Sequence, residues 1–385
     1  MIGFDLTPEQ KILRERARRF SREVILPVAA KHDRDGTFPK EVLEKAHHEG
    51  FFTPLVPKEY GGLGLGVLDN CIISEELAAG CMGIYLSIFV STLALYPIIK
   101  FGTEDQKERF LRPFCSKFSI GSYCLSEMTV GSDPASMKTT AIPEEDSYIL
   151  NGTKMWITNG GYADFYLTFA TTDPQKKHRG ILSLIVPSGL EGVSHGEPID
   201  KMGQRASNTT AVMFKNVKVP KENVLAGEGQ GFKRAMAALD VTRPMIAIGA
   251  VGIARSALEL ATQYAKRRIQ FGVPIAQHQA VQFMLADMAK DIEAARLLVY
   301  QAAWLADQGI RNSKEAAIAK AFAADMAMRV TTDAVQIYGG MGYTKWHPVE
   351  KLMRDAKVIQ IYEGSAQVMR MIIARELLRE TEKKS

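Results

Sequence analysis

Glu363 is the residue whose surroundings most invite chemistry. It stands in Ile361-Tyr362-Glu363-Gly364-Ser365-Ala366-Gln367, reached through the apolar approach Val358-Ile359-Gln360-Ile361. A carboxylate among apolar neighbours loses hydration, so its proton affinity rises and it becomes a stronger base. Upstream, Gln336-Ile337-Tyr338-Gly339-Gly340-Met341-Gly342 ends a helical pattern in a glycine run, where backbone N–H groups can approach a phosphate closely. Each segment also has a plain structural reading. Gly-Gly after a helix is ordinarily a C-cap, and a single glutamate is ordinarily solvated surface.

The rest of the chain narrows the choice. With 385 residues it exceeds one ordinary core, so two or three domains are expected. A hydrophobic share of 46% with 24% charged residues is that of a globular protein. The net charge of +5 is small and the two signs are interleaved, which excludes a nucleic-acid surface and leaves a modest preference for an anionic ligand. Cys71, Cys81, Cys115 and Cys124 form no CxxC pair and have no histidine at zinc spacing, so reduced, buried thiols and no metal site are expected. His47 and His48 are adjacent and point to different faces of a helix. No apolar run is read as a membrane span. Met1-Ile2-Gly3-Phe4-Asp5-Leu6 shows no signal or transit character, and a cytoplasmic, bacterial-type location is expected.

Three parts follow from the local patterns. Residues 1–120 read as a helical domain: Thr7-Pro8-Glu9-Gln10 is a helix start, and amphipathic stretches cover 9–31, 40–50, 69–79, 86–101 and 104–117. Tyr60-Gly61-Gly62-Leu63-Gly64-Leu65-Gly66 lacks dinucleotide spacing and a leading strand, and reads as a flexible turn. Residues 121–229 read as a small β-barrel or orthogonal sandwich of short strands, including Phe165–Thr171, Gly180–Val186 and Ala211–Val219. There Asn151-Gly152 is a hairpin cue between Ser147–Leu150 and Thr153–Thr158. Residues 230–385 read as a helical bundle, with Val281, Met284, Leu285, Met288, Ile292, Ala295 and Leu298 as a core stripe and alanine-rich 313–335 packed against it.

This layout resembles the acyl-CoA dehydrogenases over essentially the whole chain, with the short- and medium-chain members nearest. Several motifs carry the resemblance in order and spacing: Tyr123-Cys124-Leu125-Ser126-Glu127 with Gly131-Ser132-Asp133, Lys154-Met155-Trp156-Ile157-Thr158-Asn159-Gly160, and Lys201-Met202-Gly203-Gln204-Arg205. Thr242-Arg243-Pro244 and Arg268-Ile269-Gln270-Phe271-Gly272 follow, and the two glycine-bearing segments complete the set. The fold implied is α+β: an N-terminal helical domain, a middle small β-barrel and a C-terminal four-helix bundle.

The resemblance implies FAD-dependent α,β-desaturation of an acyl-CoA thioester, with Glu363 in the base position. Family members that carry the base elsewhere hold it where this chain has Thr242, which excludes that variant. It further implies that Ser126, Trp156 and Thr158 meet the flavin ring. Arg268, Phe271, Gln336, Gly339 and Gly340 would reach FAD from a neighbouring subunit, and Ser365 and Gln367 would complete the cradle. Ser132, Asp240, Arg243, Tyr362 and Gly364 would line the acyl-CoA path. A homotetramer built as a dimer of dimers and an electron-transferring flavoprotein as acceptor are implied likewise.

Two segments depart from the family pattern: Met128-Thr129-Val130, expected at the acyl entrance, and Trp346, where an acidic residue is usual. An acyl-CoA oxidase using O2, or a flavoprotein that binds acyl-CoA without turnover, are the alternatives. The acyl pocket floor is expected on the helix from Tyr85 to Tyr96. Tyr85, Phe89 and Tyr96 are bulky and no arginine is present there, which favours short, branched or alicyclic acyl groups over dicarboxylic ones.

Overall fold

The computed structural model describes residues 5–382; Met1 to Phe4, where a leader would begin, lie outside them. Helix α1 (Pro8–Phe20) starts where the sequence predicts. Thr7 caps it, accepting from the Gln10 amide at 3.2 Å, while the Thr7 amide donates back to Gln10 Oε1 at 3.1 Å. A π-helical turn, Ser21–Ile25, leads into α2 (Leu26–Asp35), and α3 (Lys40–His48), α4 (Val67–Gly80), α5 (Met82–Phe101) and α6 (Glu104–Ser116) follow.

Two expectations for this region change. The segment Tyr60–Gly66 is not flexible: Gly62, Leu63, Gly64 and Leu65 donate to the carbonyls of Pro57, Thr53, Val56 and Pro54. A Cβ on Gly62 would lie 2.2 Å from the Val56 carbonyl oxygen, so the close approach itself requires glycine. Helix α5 is also apolar all round instead of amphipathic. It and the later helix Gly231–Arg267 are both long and apolar enough to cross a membrane, contrary to the sequence reading. Their apolar windows are 89% and 67% buried inside the protein, which marks them as core helices.

The chain then forms one eight-stranded sheet. In chain order its strands are β1 (Gly121–Cys124), β2 (Thr140–Pro143), β3 (Ser147–Thr158), β4 (Phe165–Thr171), β5 (Ile181–Pro187), β6 (Val193–His195), β7 (Thr209–Pro220) and β8 (Val224–Ala226). Their spatial order is β6-β7-β3-β2-β4-β5-β8, with β1 parallel to β4. Residues of both arms, Leu150 and Val217 from one and Ala170 and Leu184 from the other, meet in one core, so the sheet curls barrel-like over its own interior. Asn151-Gly152 is not its hairpin turn. Both residues lie inside the continuous β3, at a register shift between Leu150 and Gly152 where the extra residue, and so the bulge, belongs to β7 at Lys215-Asn216. The turn sits earlier, at residues 144–146, joining β2 to β3.

Helix α7 (Gly231–Arg267) opens the bundle and a short hairpin of β9 (Ile269–Gln270) and β10 (Val273–Pro274) follows. The bundle continues with α8 (Gln279–Asp307), α9 (Ser313–Tyr338), α10 (Val349–Lys357) and α11 (Ala366–Glu382). One hydrophobic core runs from Ala17 and Ile73 through Ala254 and Val299 to Ile359, so the two helical parts are packed as one body around the separate β core. Helices α4 and α7 touch closely: a Cβ on Gly252 would lie 2.4 Å from the Glu75 carbonyl oxygen. Asp307, closing α8, accepts from the amides of Val67 at 2.6 Å and Leu68 at 2.9 Å, and so caps α4 across the chain.

Candidate active site

Two cavities adjoin where the sheet meets the bundle. The first, of about 660 Å³, lies between one face of α5, the end of β1 and the start of α7. The second, of about 790 Å³, lies between the ends of β1 and β3, the segment 201–209 and residues 354–365. Ser126, Ser132, Trp156, Thr158, Tyr362, Glu363 and Gly364 line both, together with Leu86 and Gly131, and so belong to the wall that the cavities share.

Glu363 stands in that wall with a left-handed backbone, φ +55, followed by Gly364 at φ +89. Protein encloses its carboxyl group, leaving the rest of the residue open toward the cavities, and Oε2 has no hydrogen-bond partner. Burial pushes the pKa up to about 7, against the pull of the Arg243 and Lys320 charges. A carboxylate so placed is a base near neutrality with one lone-pair site free for an incoming proton.

The surrounding elements fix that position. Arg243 on α7 is 4% exposed; its Nε donates to the Glu363 carbonyl at 3.4 Å and its guanidinium pairs with Asp240. Asp240 is held by the Ser313 hydroxyl, and its own carbonyl accepts from Asn312 Nδ2 at 3.1 Å. Gln204 Nε2 donates to the Tyr362 hydroxyl at 3.1 Å and to the Asp355 carbonyl at 2.9 Å. Lys320, in the middle of α9, donates to the carbonyls of Tyr362, at 2.8 Å, and Gly364.

The opposite side of the wall is equally anchored. The Met155 amide donates to the Ser126 carbonyl at 2.9 Å, tying the end of β1 to β3. Next to it, buried Glu127 and Lys154 pair at 2.9 Å, and Glu127 also accepts from the amides of Lys138 and Thr139. Trp156 takes a positive φ of 66° that leaves its indole 52% exposed at the wall. The second cavity combines this indole with the hydroxyls of Ser126, Thr158 and Thr209 and the cations of Lys201 and Lys357. That donor set fits a flat heteroaromatic ring carrying an anionic tail, as FAD does.

Ten of the residues singled out in the sequence meet here: seven in the shared wall, with Asp240 and Arg243 in the first cavity and Ser365 in the second. The others do not. Arg268 and Phe271 lie on the β9–β10 hairpin, and Gln336, Gly339 and Gly340 at the end of α9. Both sets sit at the end of the bundle where Tyr264 of α7 stacks on Tyr338 of α9 at 4.1 Å, away from both cavities. Gln367 is exposed on α11.

Two placements are corrected. On α5 the first cavity is lined by Leu86, Phe89, Val90 and Leu93, one face at helical spacing, which leaves Tyr85 and Tyr96 out of the floor. Tyr85 turns toward α7, where its hydroxyl donates to the Met245 carbonyl at 2.8 Å. Met128-Thr129-Val130 lines the second cavity and not the first, because Glu127 and Val130 close a tight two-way bridge that turns Met128 outward. Trp346 is 78% exposed, and nothing in the structure explains its departure from the family pattern. The sequence alone assigns no role to Lys320 or Gln204. A single lysine inside Ala316-Ala317-Ile318-Ala319-Lys320-Ala321 was the available signal for the first.

Comparison with known proteins covers nearly the whole chain. Residues 7–117 match the acyl-CoA dehydrogenase N-terminal domain, 122–217 the middle domain and 229–378 the C-terminal domain. An acyl-CoA dehydrogenase of Bacillus subtilis is 45% identical over 97% of this chain and 99% of its own. Butyryl-CoA dehydrogenase from Megasphaera elsdenii superposes with a TM-score of 0.96 at 42% identity, covering 98% of this chain and 100% of that one. A chain solved in work on the electron transferring flavoprotein of Acidaminococcus fermentans gives 0.96 at 44% identity, with the same coverage. With its three parts matched in order and a desolvated glutamate set in the wall between two cavities, the chain belongs to the acyl-CoA dehydrogenase family, a family of FAD-dependent oxidoreductases.

Proposed function

We propose that this protein desaturates an acyl-CoA thioester between its α and β carbons, with Glu363 removing the α-proton. The observation that carries this reading is the Glu363 carboxyl: desolvated, raised to about 7, one oxygen unpartnered, and set in the wall between the two cavities. The thioester carbonyl acidifies the α-hydrogen, and a base on one side of the acyl chain needs a hydride acceptor on the other. Bound FAD supplies that two-electron acceptor. The chain's own residues do the positioning. Ser126, Trp156 and Thr158 would hold the ring, while Ser132, Asp240, Arg243, Tyr362 and Gly364 would guide the thioester arm toward Glu363. Arg268, Phe271, Gln336, Gly339 and Gly340 would serve the FAD of a second subunit, and Ser365 and Gln367 would close the cradle.

The finer parts of the reading rest on less. The α5 face in the first cavity is apolar and carries no cation, which favours a compact, uncharged acyl group, short, branched or alicyclic. Electrons would pass to an electron-transferring flavoprotein. The protein would work as a dimer of dimers in the cytoplasm, with residues 1–120, 121–229 and 230–385 as its working parts.

Glu363→Gln tests the central claim, since amide and carboxylate share a shape and only the carboxylate takes a proton. The variant should keep its FAD and lose turnover by roughly 10²–10⁴-fold, the range for a general base. Retention of a tenth of the rate would remove Glu363 from that role.

A further inference from the structure

Lys320 is the most deeply buried cation near the base, and no step described so far uses it. It is 0% exposed, in an alanine-rich stretch of α9. Its Nζ donates to the carbonyls of Tyr362 and Gly364, the two residues that flank Glu363. Among the described residues no carboxylate lies within hydrogen-bond distance of it. A buried ammonium is costly, and a methionine of similar length would fill the space without that cost. The placement therefore asks for a reason beyond packing.

We propose that Lys320 is the positioning residue of the catalytic base: it clamps the backbone on both sides of Glu363 and supplies fixed positive charge behind the carboxylate. The claim rests on the assignment of Glu363 as base. The clamp has a mechanical purpose, because Glu363 holds a left-handed φ of +55 that an ordinary residue leaves when unrestrained. Two carbonyls drawn toward one ammonium prevent the intervening peptide units from rotating away.

The charge has an electrostatic purpose. The groups whose fields reach Glu363 are Arg243 from α7, Lys320 from α9, Tyr123 from β1, Tyr85 from α5 and the adjacent Tyr362. The three phenols are neutral near pH 7. Arg243 is already paired with Asp240, which leaves Lys320 as the cation without a carboxylate partner of its own. The groups facing Lys320 are Glu363, Arg243 and Asp325. Burial draws Lys320 down to about 8 while Glu363 pulls it up, the reciprocal of its effect on the base. A positive neighbour favours the ionised carboxylate, so removing it must raise the pKa of Glu363.

The test uses the FAD-loaded protein as wild type, K320M, K320Q and E363Q, with FAD content and Tm recorded for each. K320M should retain FAD and a KM near wild type while kcat falls on the order of 10–100-fold, the cost of a base displaced by about 1 Å. The acid limb of its kcat/KM profile should move to higher pH. K320Q returns a donor without charge, so it should recover part of kcat and leave the limb displaced. K320M placed on E363Q should lower the residual rate no further, since the clamp then holds nothing that reacts. Wild-type kcat and an unmoved limb in K320M would overturn the proposal. Should K320M fail to fold, an unmoved limb in K320Q would overturn it equally. An active E363Q would defeat the assignment of the base itself, whereas an inactive E363Q beside a normal K320M would defeat only the role of Lys320.

Discussion

Glu363 combines two unfavourable features, a left-handed backbone that costs about 1–2 kcal/mol and a carboxyl group held out of water. The second makes stability depend on pH in a definite direction. The folded pKa, about 7, lies above the ordinary 4.5, so between those values the folded protein binds more protons than the unfolded chain. Stability contributed by the neutral carboxyl is therefore present below the lower value and lost as pH rises through the upper one. Glu363→Gln abolishes the charge, so it should raise Tm over the wild type at pH 8 and by much less at pH 5. Calorimetry of the FAD-loaded proteins at both pH values checks this, and an equal difference at the two would contradict it. The desolvated setting of Glu363 was hinted at by the apolar run that leads to it, while its proposed role came from the family resemblance. The role of Lys320 was not legible, because its partners are main-chain carbonyls, which carry no residue identity.

Helix α5 shows how an element can be found correctly and still be turned the wrong way. Its extent follows from composition, but a helix apolar on every side has no stripe to show which face meets the cavity. Contact with α7 settles it: Tyr85 bonds to the Met245 carbonyl, and that rotation presents Leu86, Phe89, Val90 and Leu93 to the cavity. Phe89→Ala should consequently extend the length of acyl chain accepted, and Tyr96→Ala should not. Each methylene housed is worth roughly 1–3 kcal/mol in discrimination. Profiles of kcat/KM over a panel of straight-chain thioesters will separate the two, and a longer optimum in the Tyr96 variant alone would reverse the assignment. The Asn-Gly pair in β3 failed for a related reason. The dipeptide permits a turn, but β3 pairs on through it, and the extra residue of the register shift lies opposite, in β7.

On the scale of the whole molecule, several predicted FAD contacts lie away from the two cavities of the site. The β9–β10 hairpin turns through Phe271 and Gly272, both at positive φ, and leaves the Phe271 ring 94% exposed. Tyr343 and Trp346, beyond the end of α9, are 87% and 78% exposed. Aromatic side chains this open are what the proposed contact with a second subunit would cover. Arg268→Ala should weaken FAD retention, because the pyrophosphate would lose a charge-assisted partner supplied across that contact. Sedimentation together with flavin content after gel filtration tests the pair of claims; a monomer with tightly held FAD would contradict both. The order helices, strands, bundle was readable from local periodicity. The fusion of the two helical parts into one core was not, because it depends on contacts between residues far apart in the chain.

That fusion bears on how the protein is made. Val67 and Leu68 open α4 and give their amides to Asp307, a residue translated much later. At 5–20 residues per second, roughly 10–50 s separate the emergence of the donors from that of their acceptor. Through the first half of that interval α4, and then the apolar length of α5, leave the ribosome before α7 and α8 exist to cover them. The nascent chain therefore carries an open hydrophobic surface for much of its synthesis, and its first third completes its native packing only when the bundle helices arrive.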